Sequence, residues 1–375
     1  MRHLQLKASD FSVALHGPKG VEKLEITDDQ PPYPSLLKFW LYQLGAMHLV
    51  APYLYDRIRT NFEIVPRVKT LISKMYQSEG KQAPIFEQTQ NSISLSNFGT
   101  VSKSDSHKVA ILYSGGLDSM WNRIWAEQKY GAENVLLIHI RGLNKSNTSQ
   151  EYYSTLQQVE TTDCKNFRVI DLKNSSRNCK HKVMVSRDMM IPAIALPYAL
   201  EFGASKIVME GFAEAGKNEP FTGQEKNMIY FNDHVLRPLG MPISVSWRNR
   251  LEMDVVKDLY AYQPSWMKLV SNCFMAMPWR IGHQKLWMKR TPNFPLSNTQ
   301  CGVCPKCKRV KIAEIRYNPQ IKTVPSEEIK KYLKITVSWI NDKDSWRYRD
   351  TITPSFLRDL KWACRKYKVP FRQLY

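Results

Sequence analysis

Short apolar runs alternate with segments of helical apolar spacing between residues 107 and 211. The runs KVAILY, NVLLIHI, NFRVIDL and SKIVMEG predict buried strands, because each is brief and apolar. The intervening segments SMWNRIWAEQKYGA, TSQEYYSTLQQVE and SRDMMIPAIALPYALEFGA predict helices, the third of which contains Pro192 and Pro197. Strands that alternate with helices favour an α/β fold with a doubly wound parallel sheet, which binds ligands at the carboxyl ends of its strands.

The flanking regions follow other patterns. Before residue 107, PSLLKFWLYQLGAMHLV predicts a helix, and FEQTQNSISLSNFGTVSKSDS predicts weak strands or a linker. Near the C-terminus, SEEIKKYLKITVSWI and PSFLRDLKWACRKYK predict two amphipathic helices. We therefore divide the chain into an N-terminal extension of unknown role (1–106), an α/β domain (107–260), a cysteine-containing cap with an insertion (261–320) and a basic helical extension (321–375).

Composition narrows the class of protein. The 375 residues are 43% apolar, which is enough for a sizeable core, and the opening MRHLQLKASDF lacks the apolar stretch of a signal peptide. No apolar run approaches the roughly 18 residues that cross a bilayer. We therefore expect a soluble cytoplasmic protein without a membrane partner.

Positive charge is concentrated in the last quarter of the chain. Of the formal net charge of +20, the 22 basic and 7 acidic side chains from Arg280 to Tyr375 contribute +15. Such an excess is typical either of a solvated face or of a surface that binds a polyanion, here a nucleic acid or an acidic protein. Aromatic residues lie among these cations, as in surfaces that bind single strands. The residues of this pattern are Trp339, Trp346, Arg347, Tyr348, Arg349, Trp362, Arg365, Lys366, Tyr367 and Lys368.

A glycine-rich turn follows the first strand of the α/β region. In ILYSGGLDSMW, the strand ends near Tyr113, Ser114-Gly115-Gly116 form the turn, and a helix opens at Asp118-Ser119. Glycines let backbone N–H groups approach a phosphate closely, and a helix N-terminus adds unsatisfied donors and a positive dipole. The pattern is consistent with a phosphate site or with a tight turn that a serine or aspartate caps.

A second glycine segment, GFAEAGKN at residues 211–218, nearly matches a Walker A loop. Its last position holds Asn218 where a hydroxyl residue should ligate Mg²⁺, and Pro220 follows almost at once. We interpret this match as coincidental. Gly211 is better explained as the end of a strand that borders the same crevice, with Lys217 facing substrate.

The cysteines indicate a metal site. The chain has seven cysteines and no export signal, which argues against a disulfide framework. Cys301, Cys304 and Cys307 crowd into CGVCPKC, where three thiolates can hold a metal ion. Tetrahedral Zn²⁺ needs a fourth ligand from elsewhere, and an iron–sulfur cluster is the competing interpretation. Candidates for the fourth ligand are Cys273, Cys364 and His283.

The string SGGLDS resembles the SGGxDS signature of the PP-loop ATP pyrophosphatases, which split ATP between its α and β phosphates. Together with CGVCPKCKR, it makes about residues 107–316 similar to the QueC family of 7-cyano-7-deazaguanine synthases. The resemblance implies ATP as cosubstrate, Mg²⁺ at the glycine loop, a Zn²⁺ bound by four cysteines, and a small deazapurine as the substrate.

The resemblance also implies roles for individual residues. ATP would lie against Leu112, Tyr113, Ser114, Gly115, Gly116, Leu117, Asp118, Ser119 and Gly211. The catalytic residues would be Asp118, which helps to hold Mg²⁺, with Ser119 and Arg187. Arg187 is included because Arg187-Asp188-Met189 partly matches the start of a helix in that family. The zinc ligands would be Cys273, Cys301, Cys304 and Cys307.

The sequence departs from the family pattern around the expected substrate pocket. An insertion separates Cys273 from Cys301, the family's aspartate-containing segment has no counterpart in GFAEAGKNEPFTGQEKN, and Arg250 replaces a usual lysine. Three hypotheses remain open: amidation of the carboxylate of 7-carboxy-7-deazaguanine, with the nitrile as a further product; ATP-dependent modification of tRNA or DNA; and a non-catalytic subunit that binds a partner. A homodimer and a role in a phage or antiviral modification system also stay open.

Overall fold

The computed structural model describes most of the chain as one continuous sheet with helices packed on it. The described residues are 4–17, 20–51, 57–78, 80, 82–93, 101, 104–143, 148–176, 184–212, 221–271, 285, 301–342 and 352–372. Within them, ten strands follow the spatial order β10-β9-β6-β7-β8-β3-β2-β1-β4-β5. These strands are β1 (Leu4–Ser9), β2 (Ser12–Gly17), β3 (Gly20–Ile26), β4 (Arg57–Phe62), β5 (Ile85–Ile93), β6 (Asp105–Leu112), β7 (Val135–Arg141), β8 (Phe167–Asn174), β9 (Ala204–Phe212) and β10 (Ser244–Arg250).

The helices lie between and after these strands. The α-helices of the described residues are α1 (Pro34–Trp40), α2 (Ala46–Val50), α3 (Pro66–Ser78), α4 (Leu117–Tyr130), α5 (Thr148–Thr161), α6 (Met184–Glu201), α7 (Phe221–Tyr230), α8 (Glu252–Tyr262), α9 (Pro305–Tyr317), α10 (Ser326–Ile340) and α11 (Pro354–Lys366). Two π-helical segments, Leu41–Gly45 and Phe231–Leu236, continue α1 and α7. Among the described helices, none is both long enough and apolar enough to span a bilayer.

Strands β6 to β10 form a parallel half of the sheet. Alternate residues of β6 enter different cores: Ala110 and Leu112 pack in the core that contains α6, whereas Val109 and Ile111 pack in the core that contains Ala126 of α4. Helices therefore cover both faces of this half. The α/β class predicted from the alternating pattern is confirmed.

The chain reverses its course across the sheet at β6. From β6 it proceeds through β7 to β8, and it then returns to place β9 and β10 on the other side of β6. Ile111 of β6 pairs with Val208 of β9, so the carboxyl ends of these two strands lie side by side. In open α/β sheets a crevice forms at such a reversal, and ligands bind there.

The N-terminal strands continue the same sheet, which corrects the expectation of a wholly parallel one. Strand β3 pairs antiparallel with β8, where Leu24 lies opposite Asn174 and Ile26 opposite Leu172. Strands β2 and β1 follow in antiparallel order, and β4 and β5 pair in parallel beyond them. The described sheet is thus mixed but mostly parallel. The predicted boundaries at residues 106, 260 and 320 stay predictions.

One helical stretch from Pro34 to Val50 packs between the N-terminal strands and α6. Proline suits the first position of α1, because that position has no intrahelical partner for an N–H group. Trp40 is fully buried there, and its ring meets Phe231 edge-to-face at a centroid distance of 5.5 Å. The N-terminal region therefore shares its core with the α/β half of the molecule.

Helices α8 to α11 build a second core against α4. Leu117 and Met120 of α4 join Met253 of α8, Tyr332 of α10 and Phe356 of α11 in this core. Both predicted amphipathic helices are confirmed as α10 and α11. The helix that opens at the glycine turn is consequently packed against the helices that follow the cysteine motif.

Candidate active site

The glycine loop lies at the carboxyl end of β6, at the reversal point of the sheet. Gly115 adopts φ +71°, a left-handed conformation that favours glycine. Gly116 has φ −75° and ψ 173° and forms the N-cap of α4. Because glycine has no side chain, the N-cap residue itself does not occupy the N–H groups of the first turn. The first turn of α4 therefore presents backbone N–H groups and a positive dipole end at the carboxyl end of β6.

Two serines define the shape of this loop. The Gly116 N–H donates to Ser114 Oγ at 3.3 Å, and Ser114 Oγ lies 3.3 Å from Ser119 Oγ. Ser119 Oγ in turn donates to the Gly116 carbonyl at 3.1 Å. Asp118 lies in the first turn of α4, between these hydroxyls in sequence. The structure thus brings together the serines, glycines and aspartate of SGGLDS around one helix N-terminus.

Gly115 is packed too closely for any side chain. A Cβ atom at this position would lie 2.9 Å from Thr155 Oγ1 and 3.2 Å from the amide of Gln158. Both side chains belong to α5 and are 0% exposed, so they have little room to move away. Glycine is required here both by the backbone conformation and by the close approach of α5.

Gln158 links the glycine loop to the segment that leads toward the cap. Its Nε2 donates to the carbonyls of Gly115 at 2.8 Å and Leu269 at 2.6 Å, and its Oε1 accepts a bond from the Tyr113 hydroxyl at 2.6 Å. The Ser271 N–H also donates to the Gly115 carbonyl, at 2.9 Å. The loop is therefore held from α5 and from residues 269–271 at the same time.

The strands next to the loop also fix its backbone. His139 Nδ1 lies 2.9 Å from the Tyr113 carbonyl, and because a carbonyl can only accept, the proton is on Nδ1. Burial lowers the pKa of His139, which favours the neutral ring. Burial likewise raises the pKa of Tyr113, so its hydroxyl stays protonated and donates to Gln158.

Two further predicted site residues lie on separate elements. Gly211 lies near the end of β9 and pairs with Asn249 of β10, beyond the pair between Ile111 and Val208. It therefore borders the end of β6 where the glycine loop begins. Arg187 lies in the first turn of α6 and donates to Asp188 Oδ1 from Nε at 2.9 Å. A catalytic role for Arg187 stays a prediction, and Lys217 lies outside the described residues.

The three cysteines of CGVCPKC converge on one buried point. Their sulfur atoms all lie within 4.8 Å of one another, and Cys301 Sγ is 3.9 Å from Cys307 Sγ. A tetrahedral zinc ion with Zn–S bonds of about 2.3 Å requires sulfurs about 3.8 Å apart. Backbone N–H groups point at two of the sulfurs: Cys304 N–H at Cys301 Sγ and Cys307 N–H at Cys304 Sγ. The cluster thus fits a metal such as zinc.

Among the described residues, no other Cys, His, Asp or Glu joins these three sulfurs as a possible ligand. Cys273 and His283 lie outside the described residues, so their roles stay predictions. Cys364 is buried in the core formed by α8 to α11 instead of beside the three sulfurs, and burial raises the pKa of its thiol to about 11. Cys364 is therefore excluded as the fourth ligand in this arrangement.

Three polar residues around the loop were missed by sequence reasoning. Gln158 and Thr155 lie in an ordinary amphipathic helix, and no pattern distinguishes them from their exposed neighbours. Asn122 lies one helical turn after Asp118, is 1% exposed, and finds no hydrogen-bond partner for either amide atom in the described structure. One sequence signal could have identified Asn122: it is a polar residue among apolar neighbours, at a position of α4 that faces the core.

Comparisons of the sequence and the fold with known proteins found no relative. No protein-family model matches the sequence, no curated protein matches it, and no solved structure matches the fold. The chain is an α/β protein with a mostly parallel central sheet and a buried cluster of three cysteines that could hold a metal ion.

Proposed function

We propose that the protein is an ATP-dependent enzyme that activates a carboxylate as its adenylate and joins it to an amine. The observation that carries this proposal is the glycine loop, in which a left-handed Gly115 and the N-terminus of α4 meet at the reversal of a parallel sheet. The SGGLDS resemblance gives this anion site its chemistry, which is cleavage of ATP between the α and β phosphates.

The residues of the loop divide the work of holding the nucleotide. Backbone N–H groups at Gly115 and Gly116 and the hydroxyls of Ser114 and Ser119 all lie around the helix N-terminus. They would bind the β and γ phosphates in exchange for the bonds that Gly116 and Ser119 now make within the loop. Asp118 is the residue that would hold Mg²⁺, which supplies charge stabilisation for the departing pyrophosphate. Gly211 borders the same end of β6, where the adenosine side of ATP would extend.

The proposed substrate is 7-carboxy-7-deazaguanine. A carboxylate oxygen of the base attacks the α-phosphorus, the bond to the β-phosphate oxygen breaks, and pyrophosphate leaves. Ammonia or another amine then attacks the acyl carbon, AMP leaves, and the amine nitrogen loses a proton to give the amide. A second activation, at the amide oxygen, would yield the nitrile by loss of that oxygen with AMP.

The cysteine cluster has a structural role in this proposal. With Cys273 as the fourth ligand, Cys301, Cys304 and Cys307 would complete a four-thiolate Zn²⁺ site, which leaves no open position for substrate or water. Hydrogen bonds from Gln158 and Ser271 tie the loop to residues 269–271, which precede Cys273 in the chain. The cap would therefore stabilise the conformation of the glycine loop without taking part in the chemistry.

The test is incubation of the protein with ATP, Mg²⁺, ammonia and 7-carboxy-7-deazaguanine, followed by chromatography of nucleotides and mass spectrometry of the base. We expect AMP release that depends on the base, together with the mass of the amide or nitrile. Asp118→Ala should abolish AMP release, whereas Asp163→Ala, at an exposed aspartate paired with Lys165, should leave it unchanged. Full activity of Asp118→Ala would show that the loop has another function.

A second candidate is modification of tRNA or DNA by the same ATP chemistry. It is favoured by the exposed cations of α11, described below, which suit a polyanionic substrate. The same assay distinguishes the two: AMP release with tRNA or DNA, but not with the free base, supports the nucleic acid as the acceptor.

A further inference from the structure

The described part of the positive C-terminal quarter contains both buried and exposed cations. Two cations of α9 form buried ion pairs: Arg309 pairs with Glu252 and Lys311 with Glu314, and each of these four side chains is less than 10% exposed. Lys308 is also buried, beside the three cysteines. These charges are compensated within the fold, so they are not available to an external partner.

The cations of α11 and the residues after it have the opposite character. We define the basic face as Arg358, Lys361, Arg365, Lys366, Lys368 and Arg372, all of which are exposed. The same stretch, 352–372, contains one acidic residue, Asp359, whose side chain is 0% exposed and is paired with Arg316 and Arg358. The five members of the basic face other than Arg358 form no ion pair with a described acidic residue.

Helix stability accounts for only part of this charge. Arg365 and Lys366 lie in the last turn of α11, where cations offset the negative end of the helix dipole. Arg358 and Lys361 lie earlier in the helix, and Lys368 and Arg372 lie beyond its end. Because Arg358, Lys361 and Arg365 are spaced three and four residues apart, they form one stripe along the helix.

Aromatic rings lie among these cations on the same surface. Lys366 Nζ lies 4.8 Å from the centroid of the Trp362 ring, and the guanidinium carbon of Arg316 lies 5.3 Å from the same centroid. Tyr367 has Lys366 at 5.5 Å, and Phe371 has Lys361 at 5.6 Å. All three rings are partly exposed. An acidic peptide would use the cations alone, whereas a single-stranded nucleic acid uses both groups, phosphates on cations and bases on rings.

We propose that the basic face binds single-stranded nucleic acid. The phosphates contact the stripe of Arg358, Lys361 and Arg365 and the neighbouring Lys368. Unpaired bases stack on the rings of Trp362, Tyr367 and Phe371. The basic face lies on α11 and the residues after it, whereas the activation of 7-carboxy-7-deazaguanine is proposed for the loop before α4. Oligonucleotide binding can therefore fail while base-dependent AMP release succeeds, and the reverse.

The test is fluorescence anisotropy of the full chain with labelled oligothymidylate and oligouridylate of about 20 nucleotides, which exceeds the site size of common single-strand modules. Titrations across about 50 to 200 mM salt give the slope of log K against log salt. The triple variant Lys361→Gln, Arg365→Gln, Lys368→Gln should bind at least tenfold more weakly, and its slope should be smaller by about 2, at about 0.7 per lost phosphate contact.

A matched triple variant removes the same charge elsewhere. Lys322, Lys331 and Lys334 are exposed on or just before α10, and their replacement by Gln should change binding less than twofold. Phe371→Leu keeps an apolar side chain but removes a stacking ring, and should weaken binding roughly fivefold or more without changing the salt slope. Circular dichroism verifies that each variant is folded.

Three results would overturn the proposal. The first is absence of saturable oligonucleotide binding at low salt. The second is an equal loss in both triple variants, which would mean that net charge alone attracts the strand. The third is equally tight binding of polyglutamate of matched charge together with unchanged binding by Phe371→Leu, which would identify an acidic protein as the partner.

Discussion

Replacing Gln158 by leucine removes three buried hydrogen bonds that hold the glycine loop. The Tyr113 hydroxyl, whose oxygen also accepts from Arg123, loses the acceptor for its own proton, and the Leu269 carbonyl loses its donor. The Gly115 carbonyl keeps its bond from Ser271. A buried polar group left without a partner costs about 1 to 3 kcal/mol, so the loss at the Tyr113 hydroxyl and the Leu269 carbonyl costs about 2 to 6 kcal/mol in total. With an unfolding entropy of about 2.1 cal/mol/K per residue over the 375 residues, this corresponds to a fall in Tm of about 3 to 8 °C.

Thermal unfolding measures the loss of stability, and the AMP release proposed above is expected to fall as the loop geometry is lost. Gln157 precedes Gln158 in the same helix but is exposed, so Gln157→Leu serves as the matched control and should change stability by less than about 0.5 kcal/mol. Gln158→Glu keeps an acceptor for Tyr113 but puts an oxygen against both carbonyls, and should also be destabilised. Equal melting temperatures for the Gln157 and Gln158 leucine variants would refute the role of Gln158.

Further predictions concern the loop, the metal and a buried histidine. Gly115→Ala should cost about 1 to 2 kcal/mol for its left-handed backbone alone, plus the clash with α5, and should lower nucleotide affinity in titrations that also include Gly116→Ala as a comparison at negative φ. Cys304→Ala should lose bound metal, measured by elemental analysis, and should unfold at lower temperature, whereas retention of one zinc per chain would contradict a thiolate site. Asn122→Leu should stabilise the chain, because it removes two buried unpaired amide atoms, and should lower AMP release if those atoms serve the substrate. Because burial depresses the pKa of His139 in the fold, stability should fall as the pH drops below about 6.5, and the urea unfolding of His139→Gln should lose part of that pH dependence.

The α/β half could be predicted because its signals are local. Each strand from β6 to β9 is a short apolar run, α4 opens directly after two glycines, and both amphipathic C-terminal helices repeat apolar residues at helical spacing. The glycine loop and the cysteine triplet were found for the same reason, since their residues are neighbours in sequence.

The remaining features depend on partners that are distant in sequence. Pairing of β3 with β8 joins Leu24 to Asn174, and no pattern within either strand specifies that edge. In the sequence, Gln158 cannot be distinguished from any other helical glutamine, because its partners Gly115 and Leu269 are distant in the chain. Whether a described cation of the basic quarter is buried also depends on which carboxylate the fold places beside it, as Glu252 lies beside Arg309.

The junction between β3 and β8 has a consequence for how the chain can be cut. A polypeptide that starts at residue 107 would keep every residue of the glycine loop, yet it would present the backbone of Leu172–Asn174 as an open strand edge. It would also uncover the apolar surface of α6 that the stretch from Pro34 to Val50 covers. Such a fragment should aggregate because it lacks the first strands of the sheet, so a stable fold requires residues that belong to neither the glycine loop nor the cysteine cluster.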